Sequence, residues 1–180
     1  MSAIGFTLFD TALGRLGIAW GERGVVGVQL PEARASATRA RLLRRFPGVR
    51  EASPPPALQR AVDGIAALLR GEPSDLSGIS LDLNPVEPFA RRVYELARTI
   101  PPGQTLSYGE IADRLGAPGE ARAVGEALAR NPFPIIVPCH RVLASGGRLG
   151  GFSARGGVAT KRRLLALEGA APNGQPELFG

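Results

Sequence analysis

Apolar residues along this chain follow two different rhythms. Between Phe6 and Leu30 they come in short runs, Phe-Thr-Leu-Phe, Leu-Gly-Arg-Leu-Gly-Ile-Ala-Trp and Val-Val-Gly-Val-Gln-Leu, broken at Asp10-Thr11 and at Gly21-Glu-Arg-Gly24. Short runs bounded by turn residues predict an antiparallel meander. From Ala33 to Phe46 the spacing becomes helical, with Leu42, Leu43 and Phe46 set among arginines on an amphipathic surface. The Pro54-Pro55-Pro56 loop follows, and Ala57 to Arg70 predicts a second helix stopped by Gly71. Ile79 to Leu83 reads as one more strand.

Asn84-Pro-Val-Glu-Pro88 breaks both regular structures and serves as a linker. Beyond it the pattern is helical. Phe89 to Ile100 predicts a helix ended by Pro101-Pro102-Gly103. Ser107-Tyr-Gly-Glu110 is a capping box that opens a short helix closed at Gly116. Pro118 to Arg130 predicts another helix after a tight turn, rich in small residues and carrying Arg122 and Arg130, so the pair reads as a helix-turn-helix. Packing within an all-α unit is the plainer interpretation of the same pattern. Arg141–Leu143 and Leu149–Phe152 flank Ala-Ser-Gly-Gly-Arg, which suggests a hairpin placed like a wing. Gly157 to Glu168 predicts a last helix ended by Gly169, and Ala170 to Gly180 a disordered tail.

The expected fold is therefore an α/β N-terminal domain over 1–84, a small antiparallel sheet with helices. A winged-helix-like, mostly α domain with a helix-turn-helix follows over 85–169, and then the tail, 170–180.

Composition narrows the setting. With 180 residues, 44% of them hydrophobic, the chain can bury a real core. No apolar run is long enough to cross a bilayer, and the first residues do not form a secretory leader, so a cytoplasmic protein without a membrane partner is expected. A single cysteine and a single histidine exclude an internal disulfide and do not make a structural zinc site, so no metal is expected. The net charge is +6 with a pI near 10.8, and all but one of the basic residues are arginine. This favours a polyanionic partner, because the guanidinium fork fits phosphate, although an arginine-rich solvated surface has the same composition.

The candidate chemistry sits in Asn131-Pro-Phe-Pro-Ile-Ile-Val-Pro-Cys-His-Arg-Val-Leu143. Pro132, Pro134 and Pro138 stiffen the segment, and Ile135, Ile136 and Val137 anchor it in a core, leaving Cys139 and His140 at its edge. A thiol is a good nucleophile only as thiolate, so it needs a base or a positive neighbour, and His140 and Arg141 supply both types. In extended backbone, neighbouring side chains point to opposite sides, so a bridging water is expected between Cys139 and His140. Glu168 is one candidate acid to orient the imidazole. A lone buried cysteine is, on residue type alone, also compatible with inert packing.

The Asn131–Val142 segment closely resembles the active-site signature of the O6-alkylguanine-DNA alkyltransferases, the methylated-DNA–protein-cysteine methyltransferases. The resemblance extends through Thr105-Leu-Ser-Tyr-Gly-Glu-Ile-Ala112, Ala121-Arg-Ala-Val-Gly125 and Lys161 to Gly169, so it covers Phe89 to Gly169. It implies single-turnover repair of double-stranded DNA. O6-alkylguanine, or O4-alkylthymine, is flipped out, and its alkyl group moves irreversibly to Cys139 without a cofactor. By this resemblance His140 deprotonates Cys139 through water, Glu168 orients His140, Tyr108 protonates the departing guanine, and Asn131 braces the loop. Arg122 enters the base stack, Ala121, Ala123 and Ala127 lie in the minor groove with Arg141 also on DNA, and Leu128, Pro134, Val142, Gly150, Phe152 and Ser153 wall the pocket.

Two departures stand out: Phe152 where many relatives carry tyrosine, and the extra Ala154-Arg155 in the same loop. In the tail, Gln175-Pro-Glu-Leu-Phe179 resembles the peptide by which bacterial repair proteins dock on the sliding clamp, with Leu178 and Phe179 as anchors. A monomer is expected. The competing classes are a winged-helix regulator that binds DNA without chemistry, a Cys-His hydrolase or thiol transferase, and a non-reactive lesion binder. Cys139 and Tyr108 speak against the regulator, the basic helix-turn-helix speaks against the hydrolase or transferase, and a non-reactive lesion binder would lack the thiol.

Overall fold

The computed structural model describes residues 3–170. The clamp-like peptide at Gln175, Leu178 and Phe179 lies outside them. The described residues form two compact units: one contains residues 3–85 together with Pro132–Ile136, and the other contains Val86–Asn131 and residues 137–170.

The meander forms as the apolar runs predict. Strands β1 (Gly5–Thr11), β2 (Gly14–Gly21) and β3 (Gly24–Gln29) make a three-stranded antiparallel sheet in sequence order. Thr11 Oγ1 donates to the Gly14 carbonyl at 2.6 Å and accepts from Leu13 N at 3.1 Å, closing the first hairpin with its own side chain. Helix α1 (Ala35–Arg45) lies on the sheet, and Phe6, Ala19, Val26, Leu42, Phe46 and Val49 form a core cluster. Gly17 and Gly27 leave room for this packing: a Cβ at either would come within 2.7 Å of Leu42 or Phe46 side-chain atoms. Helix α2 (Pro56–Leu69) begins with Pro56 at a position where the missing N–H costs nothing.

The strand expected over Ile79–Leu83 contracts to one parallel bridge, Val25 with Leu81. Val25 N donates to Ser80 O and Asp82 N to Val25 O, both at 2.9 Å. Asn84-Pro85 follows at once, so no longer ladder can form. Pro132–Ile136 packs with this unit. Val28 N donates to Pro132 O at 2.9 Å, Arg45 reaches the same carbonyl at 3.2 Å, and Phe133, Ile135 and Ile136 are buried. Ile135 holds φ at 75°, an unfavourable conformation for a β-branched residue that burial on all sides maintains.

The second unit contains α3 (Pro88–Ala97), α4 (Tyr108–Arg114), α5 (Ala121–Ala129) and α6 (Val158–Leu167). The capping box is complete: Glu110 N donates to Ser107 Oγ at 3.0 Å and Ser107 N to Glu110 Oε2 at 2.8 Å. Gly116, at φ 73°, turns the chain between α4 and α5, which pack together as the helix-turn-helix pattern requires. Tyr94 of α3 donates its buried hydroxyl to the Ala127 carbonyl of α5 at 2.6 Å.

The wing hairpin is not formed. Val142–Leu143 is strand β5, paired in parallel with β4 (Leu106–Ser107), while residues 149–152 adopt no strand. Gly146, Gly147 and Gly150 all take positive φ, so the chain coils after Leu143 instead of returning as a strand. Only Ala144 N to Arg148 O, at 2.8 Å, closes the turn. No helix among the described residues is long and apolar enough to cross a membrane, and they contain no cluster of three or more potential metal ligands.

Candidate active site

Pro138 ends the stiff segment, and Cys139–Arg141 winds into a single 3-10 turn, with Arg141 N donating to Pro138 O at 2.9 Å. This corrects the extended backbone expected there. With about three residues per turn, successive side chains diverge by roughly a third of a circle. Cys139 lines a cavity, while His140 and Arg141 both meet Glu168. All three residues of the turn are buried, deeper than the edge position expected from sequence.

Glu168, at the C-terminal end of α6, is the hub. Its Oε1 lies 2.8 Å from His140 Nε2 and accepts from Arg141 Nη2 at 2.7 Å, and its Oε2 accepts from Arg141 Nε at 3.0 Å. Burial alone would raise this carboxyl, but His140 and the Arg141 fork overcome it and hold its pKa down at about 2. Burial lowers the pKa of His140, against the pull of Glu168, so the imidazole is neutral at pH 7. The carboxylate accepts at Nε2, which leaves Nδ1 as the basic nitrogen; Nδ1 is buried and has no partner among the protein atoms. Arg141 was expected on DNA. Instead it is buried, spending a further N–H on Ile100 O at 2.6 Å, and its charge serves Glu168.

Burial also dominates Cys139 and pushes its thiol up, so the resting sulfur is protonated. Four groups oppose burial: a hydrogen bond from Asn131, the Lys161 ammonium, and the N–H groups of Cys139 and His140. Asn131 also donates Nδ2 to Val137 O at 2.9 Å, so one amide ties the chain just after α5 to the entry of the cysteine turn.

The cavity that Cys139 lines measures about 690 Å³, the size class of small-molecule sites. Tyr108, at the first position of α4, forms one wall; Leu128, Phe152 and Ser153 of the expected pocket also line it. Ser153 Oγ donates to Ala129 O at 3.1 Å, holding the loop against α5. Of the expected pocket residues, Pro134 packs with the other unit, Val142 is buried, and Gly150 stands behind Tyr108; none of these lines the cavity. Among the expected DNA contacts, Ala121 and Arg122 line the mouth, whereas Ala123 does not and Ala127 is buried.

Lys161 carries a role the residue patterns did not single out. It is fully buried, donates to Val142 O at 2.7 Å, approaches Tyr108 Oη and Gly151 O at 3.5 Å, and sits 5.7 Å from the Tyr108 ring centre. Burial lowers its pKa to about 8. The sequence did hold a signal. In a chain that otherwise uses arginine for every basic side chain, the single lysine is itself the exception that points to this position.

A helix-turn-helix whose second helix walls the cavity lined by Cys139 is the architecture of a DNA-binding protein. Residues 88–170 match the family model for the 6-O-methylguanine DNA methyltransferase DNA-binding domain. The chain is 38% identical over 160 residues to the methylated-DNA–protein-cysteine methyltransferase of Methanothermobacter thermautotrophicus, covering 89% of this chain and 82% of that one. It is 37% identical to the enzyme of the same name from Mus musculus, over 97% of this chain and 85% of the mouse protein. The crystal structure of Mycobacterium tuberculosis OGT in complex with DNA superposes with a TM-score of 0.75 at 37% identity, covering 96% of both chains. The chain belongs to the methylated-DNA–protein-cysteine methyltransferase family.

Proposed function

We propose that this protein repairs O6-alkylguanine in duplex DNA by moving the alkyl group irreversibly onto Cys139. The observation that carries this is the Glu168–His140 pair beside a cysteine that lines a cavity large enough to admit a base and walled by α5. The minor groove receives α5, whose small residues permit close approach, and the damaged base swings out of the stack into the cavity while Arg122 takes its place.

In the chemical step His140 Nδ1 draws the thiol proton through a water molecule, and Glu168 holds the imidazole in the required tautomer and favours the imidazolium that forms. The thiolate attacks the alkyl carbon in line, so an S–C bond forms as the C–O6 bond breaks. Guanine leaves with its electron pair and takes a proton from the Tyr108 hydroxyl, which stands beside the Lys161 ammonium. Asn131 and the two N–H groups of the cysteine turn stabilise the thiolate before attack. The thioether has no route back, so each molecule acts once and no cofactor takes part.

The same reading takes the protein as a cytoplasmic monomer with a variable N-terminal domain, an alkyltransferase domain from about residue 85, and a tail that docks on a sliding clamp through Gln175, Leu178 and Phe179. Loss of clamp affinity in a Leu178→Ala, Phe179→Ala double variant is the expected result, and an unchanged affinity removes that partner. For the reaction, the protein is incubated with duplex carrying O6-methylguanine and its peptides are weighed. One added methyl confined to the Cys139 peptide is expected; an unmodified Cys139 after full contact with the lesion overturns the proposal. Cys139→Ala should bind the duplex and leave the lesion intact.

A further inference from the structure

Helix α5 places two charged side chains at the mouth of the cavity, Arg122 and Glu126. They stand one turn apart with Arg122 Nε 3.5 Å from Glu126 Oε1, and both are exposed, at 94% and 57% of their side-chain surface. The lining face of the helix otherwise presents Ala121, Gly125 and Ala129, which add no bulk, and the buried Leu128. Any duplex that delivers a base to Cys139 must therefore lie against Glu126. A carboxylate is a costly group to hold against phosphates, and its partner contributes little to fold stability, since exposed i,i+4 pairs are worth only about 0.3–0.5 kcal/mol.

A carboxylate accepts hydrogen bonds and donates none. In the minor groove the base edges offer a single donor, the N2 amine of guanine. When Arg122 leaves Glu126 to enter the stack, the freed carboxylate faces that groove. We propose that Glu126 is a specificity-determining residue. It accepts a hydrogen bond from the N2 amine of a guanine flanking the lesion, and at other sequences its uncompensated charge weakens binding. The inference rests on the repair reading given above, including entry through the minor groove.

The test measures the rate of methyl transfer to Cys139 from two O6-methylguanine duplexes that differ only in having guanine or hypoxanthine, which lacks N2, in the flanking pairs. The wild-type protein is expected to react about three- to tenfold faster with the guanine duplex, the effect of one charge-assisted hydrogen bond. Hypoxanthine also loosens base pairing, but equally for every variant, so the comparison between proteins carries the result. Glu126→Ala should react at nearly equal rates with both duplexes and bind undamaged DNA more tightly than wild type. Glu126→Gln, which keeps an acceptor and loses the charge, should retain part of the preference. Equal wild-type rates on the two duplexes, or a Glu126→Ala protein that keeps the wild-type ratio, overturn the proposal. Absence of transfer from either duplex overturns the repair reading and this inference with it.

Discussion

His140 Nε2 lies 2.8 Å from Glu168 Oε1, an imidazole and a carboxylate that are 28 positions apart in the chain and both almost wholly buried. The contact fixes which imidazole nitrogen is free to act as a base. Replacing Glu168 by Gln should therefore slow alkyl transfer about a hundredfold, in line with loss of an oriented general base, with affinity for undamaged DNA unchanged. Quenched-flow transfer assays beside a binding titration check this, and an unchanged transfer rate would remove the orienting role of Glu168.

The same carboxylate makes stability depend on pH. Its folded-state pKa of about 2 lies below its ordinary 4.5, so unfolding takes up a proton between those values. The contribution is complete above pH 4.5 and is lost as pH falls toward 2. The shift corresponds to about 3 kcal/mol. Denaturant midpoints measured across this window should fall more steeply for wild type than for Glu168→Gln, which should already be destabilised at pH 7 because Arg141 is left buried without its partner. Parallel slopes for the two proteins would contradict the account.

Lys161 offers a second pH signature. Burial brings its pKa from 10.5 to about 8, so its positive charge beside Cys139 and Tyr108 fades as pH rises through 8. The wild-type transfer rate should bend near pH 8, and Lys161→Met should react more slowly and lack the bend. Its thermal stability should stay close to wild type, the spared desolvation of the charge offsetting the hydrogen bond lost at the Val142 carbonyl. A bend preserved in Lys161→Met would show that another group titrates there.

Gly150 holds φ at 70°, and a Cβ there would lie 2.8 Å from Tyr108 Oη and 3.1 Å from its ring. Gly150→Ala should cost about 1–2 kcal/mol from the left-handed backbone alone. It should also push Tyr108 off its position, slowing transfer about ten- to hundredfold while DNA binding holds. Stopped-assay rates and melting curves separate the two effects; a variant that loses stability but keeps its rate would exclude Tyr108 from the reaction.

Local pattern was enough to determine most of the elements. The meander, the helices and the Ser107–Glu110 capping box follow from spacing and turn chemistry, because these depend on residues a few positions apart. The Cys139–His140 neighbourhood was likewise visible in the sequence. The tertiary structure decided everything that depends on distant residues. Pairing of β5 with β4 in place of a wing hairpin, Arg141 turned inward to Glu168, and the only lysine enclosed beside Tyr108 each join positions at least 27 apart. Periodicity reports whether a side chain is buried, but not which buried charge it meets. Such partners are chosen by the cost of leaving a charge unpaired in the core, and that cost exists only once the chain has folded.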